Sequence, residues 1–91
     1  MPTAFEMEDD GTSQEIDITK NSLDSDMVYC IVDDTTKNIY LWLGKNAGVR
    51  KRFIGAQWAS KIRVEYGFNF SVKSLDEGEE PSNFITAIST S

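Results

Sequence analysis

Ninety-one residues carrying a net charge of -6, 40% of them hydrophobic and 26% charged, read as one globular domain over residues 1–91, near the small end of what forms a core without staples. The single cysteine, Cys30, lies in the apolar run MVYCIV, and the chain has no histidine, which excludes an internal disulfide and a thiolate metal cluster and removes the usual general base. No apolar stretch approaches the roughly 20 residues that a bilayer crossing needs, and the expected compartment is the cytoplasm.

Residues 1–26 mix acids with Gly11, Thr12 and Ser13. Two weakly alternating patches, Ala4 to Met7 and Glu15 to Ile18, read as short strands or as one strand with a loop. MVYCIVDD (27–34) is β-branched and aromatic between Asp-rich turns, which predicts a central strand. TTKN turns the chain, and IYLWLG (39–44) answers as a second strand. Alternation puts Tyr40 and Trp42 on one face and Ile39, Leu41 and Leu43 on the other, so both faces of the sheet need covering. Residues 48–66 lack Pro, carry Ile54, Trp58, Ala59 and Ile62 at helical spacing, and end before Gly67, as a helix does. FNFSVKS (68–74) alternates again as a strand. Pro81 then opens a short terminal helix with Phe84, Ile85 and Ile88 on one face. This order gives an α+β sandwich with the sheet in the middle.

The joint LWLGKNAGVRKRF (41–53) is the one stretch that resembles a phosphate loop. It fails that test, because Gly44-Lys45 is followed by Asn46 and the position five before Gly44 is Ile39. No Gly-x-Gly-x-x-Gly occurs, and the acid pairs Asp9-Asp10, Asp33-Asp34 and Glu79-Glu80 sit in loops or turns. An enzyme is not expected. Charge is concentrated instead: Lys45, Arg50, Lys51, Arg52, Lys61 and Arg63 fall between 45 and 63 with no acid among them, against three positives and fifteen negatives elsewhere. Such a bipolar chain suits an acidic partner surface or an anionic membrane better than nucleic acid.

At about 100° per residue, Ile54, Gly55, Trp58, Ala59 and Ile62 share the inner arc of the long helix. Phe53 and Val64 fall opposite, beside Arg50, Gln57, Ser60 and Lys61. An outward Phe among basic and amide neighbours is a candidate interface. Arg50, Lys51 and Arg52 occupy the first turn, where the helix dipole disfavours each cation by roughly 0.3–1 kcal/mol. Arg50 and Arg52 are expected to face solvent. Lys51 falls on the inner side, where its ammonium needs a carboxylate or a route back to water.

Taken in order, LDSDMVY (23–29), NIYLWLGKNAG (38–48), AQWASKIR (56–63) and EGEEP (77–81) resemble the gelsolin and villin family, and the chain resembles a single domain of that kind. The resemblance implies a central mixed β-sheet of about five strands between one long helix (about 48–66) and one short helix (about 81–89). It also implies actin as partner, bound by the long helix in a cleft between two actin subdomains, and it places Arg50, Phe53, Gln57, Ser60, Lys61 and Val64 at or near the contact. One repeat occupies one actin site, so monomer binding or filament capping is expected, with little or no severing, from a protein that is itself a monomer. Family repeats commonly hold calcium with an Asp before the central strand and a Glu seven residues after the Gly of Trp-x-Gly. Here those positions are Asp26 or Met27, and Lys51. A cation among the ligands disqualifies a hard dication site, so no cofactor is expected. The Lys51 ammonium is expected in the calcium's place, paired with Asp26 or Asp24. The acidic loop Asp76 to Glu80 stays open as another calcium position. The acidic helix residue that bridges calcium to actin in relatives falls at Arg63. The alternative partner is a phosphoinositide or anionic membrane, met by Lys45, Arg50 and Arg52 together with Lys51.

Overall fold

A computed structural model describes residues 3–8, 10–16 and 23–89. Along the chain run β1 (Thr3–Met7), β2 (Ser13–Ile16), β3 (Val28–Asp33), β4 (Asn38–Leu43), α1 (Val49–Tyr66), β5 (Ser71–Asp76) and α2 (Ser82–Ser89). The strands form one sheet in the order β2-β1-β3-β4-β5. β4 and β5 are parallel while the other neighbours are antiparallel, because the connection from β4 to β5 crosses over through α1.

Period-two alternation decides what each helix covers. Val28, Cys30 and Val32 of β3, with Ile39 and Leu41 of β4, face Ile54, Ala59 and Ile62 of α1. Tyr29 and Ile31, with Tyr40 and Trp42, face Phe84 and Ile88 of α2. Register keeps these sets together: Tyr29 pairs with Trp42 and Ile31 with Tyr40. Rings complete the second layer, Tyr40 meeting Phe84 edge-on at 5.2 Å between centroids. Each such fully buried aliphatic or Phe side chain contributes about 1.5–3 kcal/mol relative to exposure. The expected two-sided α+β sandwich is the observed architecture.

Two strand starts differ from the sequence reading. β5 starts at Ser71 rather than Phe68, because Gly67, at φ 131°, turns the chain and Arg63 holds that turn through the carbonyls of Phe70 (2.9 Å) and Phe68 (3.3 Å). Phe68 is left 74% exposed. β2 starts at Ser13, while Asp17 and Ile18 lie outside the described residues. Arg52 and Lys51 also depart from their expected settings, as described below.

Two glycines set how closely the layers meet. A Cβ on Gly55 would stand 2.6 Å from Val28 Cγ1 and 2.9 Å from Leu41 Cδ1, so glycine lets α1 lie directly on β3 and β4. A Cβ on Gly44 would collide with the main-chain carbonyl oxygens of Ser25 and Met27, the second at 2.6 Å. Gly55→Ala should introduce overpacking of about 1–3 kcal/mol, partly offset by about 1 kcal/mol of helix propensity. Gly44→Ala should cost more, because main chain cannot rotate away. Urea midpoints are expected to fall in the order wild type, G55A, G44A; a G44A midpoint at the wild-type value would contradict this packing.

Candidate functional site

The outward face of α1 is positioned by the joint that precedes it. Gly44 N–H donates to Met27 O (3.0 Å), and Asn46 N–H donates to Ser25 O (2.9 Å), fastening the β4–α1 loop to the chain just before β3. From the other side, Glu77 accepts from Lys45 N–H (2.9 Å) and from the Ser25 hydroxyl (2.7 Å). These two donors, the Lys45 amide first, hold the Glu77 carboxyl below its usual range. Glu80 accepts from the Trp42 indole at 2.8 Å and from Gly78 N–H at 3.0 Å. Two carboxylates of the acidic loop, Glu77 and Glu80, are therefore engaged as acceptors of N–H and O–H donors.

Arg52 is the first correction. It does not face solvent: Nε donates to Ala47 O (3.2 Å) and Nη2 to Gly44 O (3.0 Å). A first-turn cation is thus compensated by carbonyls of the joint. Lys51 is the second. It does turn inward, but its Nζ meets Met27 Sδ at 3.2 Å and not a carboxylate. Asp24 instead accepts from Asp26 N–H at 2.9 Å within its own turn, and Asp26 is exposed. Met27, rather than Asp26, stands opposite Lys51. A thioether is a weak acceptor, so this contact is softer than the ion pair expected. Among the described residues no group of three or more His, Cys, Asp or Glu could hold a metal ion.

On the outer side, Phe53 is 61% and Val64 64% exposed, and Gln57, Ser60 and Lys61 are exposed with them. Arg50 is exposed at the same end and lies close enough to Asp10 to add to the downward pull on its carboxyl, which comes chiefly from the Thr12 hydroxyl and amide. The structure thus brings the six predicted contact residues onto one exposed helix surface. Val49, 84% exposed, belongs to the same stripe and was missed, although it lies one turn before Phe53 and the same periodicity points to it. Of the cations predicted for an anionic surface, Lys45 and Arg50 are exposed while Arg52 is engaged inward. Trp58, predicted as core, is half-buried: its ring packs on the sheet-facing cluster while its indole N–H reaches Gly11 O at 2.9 Å.

Cys30 offers no nucleophile. Burial pushes its thiol up to about 12, and Sγ contacts Gly55 O at 3.6 Å beneath α1. Among the described residues no helix is long and apolar enough to cross a membrane.

A mixed sheet covered on one side by a short helix packed through Phe84 and Ile88 and on the other by a long helix with an exposed apolar stripe defines an α+β module that presents one helix face. The match to known families makes this specific: residues 12–85 match the gelsolin repeat, and the chain belongs to that family. The structure is similar to Thorarchaeota ProGel, solved in complex with rabbit actin, with a TM-score of 0.91 and 30% identity over 97% of this chain and 99% of that one. It is also similar to Thorarchaeota 2DGel3, solved in complex with rabbit actin, with a TM-score of 0.81 and 29% identity over 96% of this chain and 45% of that one. This chain thus corresponds to somewhat under half of 2DGel3. No curated protein matches it by sequence.

Glu77 gives the site a pH signature. Its folded carboxyl is depressed, so its contribution is complete above the ordinary glutamate value of about 4.3 and is lost as pH falls through the lower folded value. Wild-type stability to denaturant should hold down to about pH 4.3 as far as Glu77 is concerned and fall as pH drops from there through the lower folded value. Glu77→Gln should be less stable at neutral pH and show a flatter acid decline. An identical pH slope in both proteins would remove Glu77 from the joint.

Proposed function

We propose that the protein binds actin through the outer face of α1. Val49 and Phe53 form the apolar end of the contact, Ser60 and Val64 continue it, and Arg50, Gln57 and Lys61 form its polar flank. The observation that carries this reading is the exposed stripe on a helix whose opposite face is locked to the sheet. A half-exposed Phe on a rigid helix between two exposed valines is surface kept free for a partner. The similarity to ProGel over almost the full length of both chains supports actin as that partner. A module of this size occupies one actin site, so the mode is monomer binding or filament-end capping, with little or no severing without a second linked repeat. The role is binding, not catalysis, and the setting is the cytoplasm.

The binding is calcium-independent in this reading. Where the family resemblance puts an Asp and a Glu around the ion, this chain has Asp26 or Met27, and Lys51, whose ammonium meets Met27 Sδ. The basic cluster gives an anionic membrane weaker support, because the Arg52 guanidinium is already satisfied by two carbonyls.

Phe53→Asp should cost about 2 kcal/mol or more of binding, roughly thirtyfold, as a central anchor does, and Gln57→Ala should cost less. Phe53 is too exposed for its replacement to unfold the domain. Inhibition of pyrene-actin polymerisation measures both variants, and wild-type inhibition by Phe53→Asp would remove α1 from the account. Affinity should be the same in excess calcium and in chelator, whereas loss of binding in chelator would overturn the role given to Lys51 and Met27.

A further inference from the structure

Beside the apolar stripe, the turn between β1 and β2 reaches over to the flank of α1. Trp58 Nε1–H donates to Gly11 O at 2.9 Å, joining residues 47 apart in sequence. The Lys61 ammonium lies over the same indole, 4.7 Å from the ring centroid. Gly11, Gln57, Trp58 and Lys61 line an open cleft of about 220 Å³. Small-molecule sites run to about 300–1,000 Å³, so the cleft has room for one side chain rather than a free ligand. Its floor is an aromatic ring, and its rim carries an ammonium and a carboxamide.

Among the described residues no carboxylate pairs with the Lys61 ammonium of the cleft. The turn supplies an acid, Asp10, but its carboxylate is committed to Thr12, accepting from the amide at 3.0 Å and the hydroxyl at 2.6 Å. Glu65, one helical turn beyond Lys61, is not within ion-pairing distance of it; the ion pair among the described residues is Lys37 with Asp34. Residues 45–63 contain no acid at all. The turn is itself a closed unit, with Glu8 N–H donating to Thr12 O (2.9 Å) and Gly11 N–H to Glu8 O (3.2 Å), so the Trp58 bond holds a preformed wall against the helix.

We propose that this cleft is a second recognition pocket that takes an acidic side chain of the actin partner, with Lys61 as the charged contact and Trp58 as the positioning residue that holds the β1–β2 turn as its wall. The pocket rests on the reading of α1 as the actin-binding face. It gives the Lys61 end of the polar flank a charge-selective contact beside the apolar stripe, and so fixes the register of the helix on its partner.

Fluorescence titration of actin with four variants of the full chain tests it. Lys61→Met should weaken binding about two- to fivefold, as an exposed ion pair does, and should make affinity less sensitive to salt. Lys61→Glu should weaken it about tenfold or more, because like charges then face each other. Trp58→Phe keeps a ring under Lys61 but removes the bond to Gly11, and should also weaken binding. Combined with Lys61→Met it should lose little more than the larger single effect, because both act on one contact. Equal losses for Lys61→Met and Lys61→Glu would mean that Lys61 only packs on the indole, overturning charge recognition. Wild-type affinity for Trp58→Phe, or additive losses in the double variant, would overturn the positioning role. Wild-type affinity for both Lys61 variants while Phe53→Asp fails to bind would overturn the pocket alone. Retained binding by Phe53→Asp would overturn the α1 reading on which the pocket rests.

Discussion

Everything the long helix can do follows from the joint at Gly44, where the chain leaves β4 and passes under the carbonyls of Ser25 and Met27 with no room for a side chain. Hydrogen bonds from Gly44 and Asn46 fasten the loop on one side. Glu77 fastens it on the other, and Arg52 reaches back from the helix to the carbonyls of Gly44 and Ala47. With its first turn fixed in this way, α1 has one rotation about its axis. Ile54, Gly55, Ala59 and Ile62 go down to the sheet, and Val49, Phe53 and Val64 go out.

The same joint explains why three consecutive basic residues are tolerated at a helix N-terminus. Arg50 stays at the surface near Asp10, Lys51 turns to Met27, and Arg52 donates to the carbonyls of Gly44 and Ala47. Each cation has a different neighbour, so the unfavourable dipole interaction is met locally in three ways and not by one counter-charge. Where the resemblance to relatives would place a metal, the contact between helix and strand is made by an ammonium and a thioether. In the acidic loop that follows β5, the Glu77 and Glu80 carboxylates serve as acceptors for Ser25 and the Lys45 amide and for the Trp42 indole.

Much of this was legible in the residues. Alternation in IYLWLG assigned Tyr40 and Trp42 to one layer and Ile39 and Leu41 to the other, because a strand's period leaves no choice. The helix wheel found the outer stripe through Phe53 and Val64. It stopped one turn short of Val49, although the same periodicity extends to it. The start of β5 was misplaced because FNF alternates like a strand, whereas the turn at Gly67 and the Arg63 guanidinium hold Phe68 outside the ladder. The setting of Lys51 was beyond sequence reasoning: facing inward follows from periodicity, but the choice of Met27 over Asp24 or Asp26 depends on how the turn before β3 engages its own carboxylates. The bond from Trp58 to Gly11 was equally hidden, joining two distant stretches through one indole N–H.

The central claim is that the outer stripe of α1, at Phe53, is the surface buried against actin. A benzophenone side chain placed at position 53 extends the ring it replaces by a benzoyl group, which the exposed setting of Phe53 leaves room for, and on illumination attaches to C–H groups that lie against it. The account predicts an actin adduct from position 53 and none from the same group at Val72, on β5. Actin binding retained at position 53 without an adduct, or an adduct from Val72 alone, would contradict it.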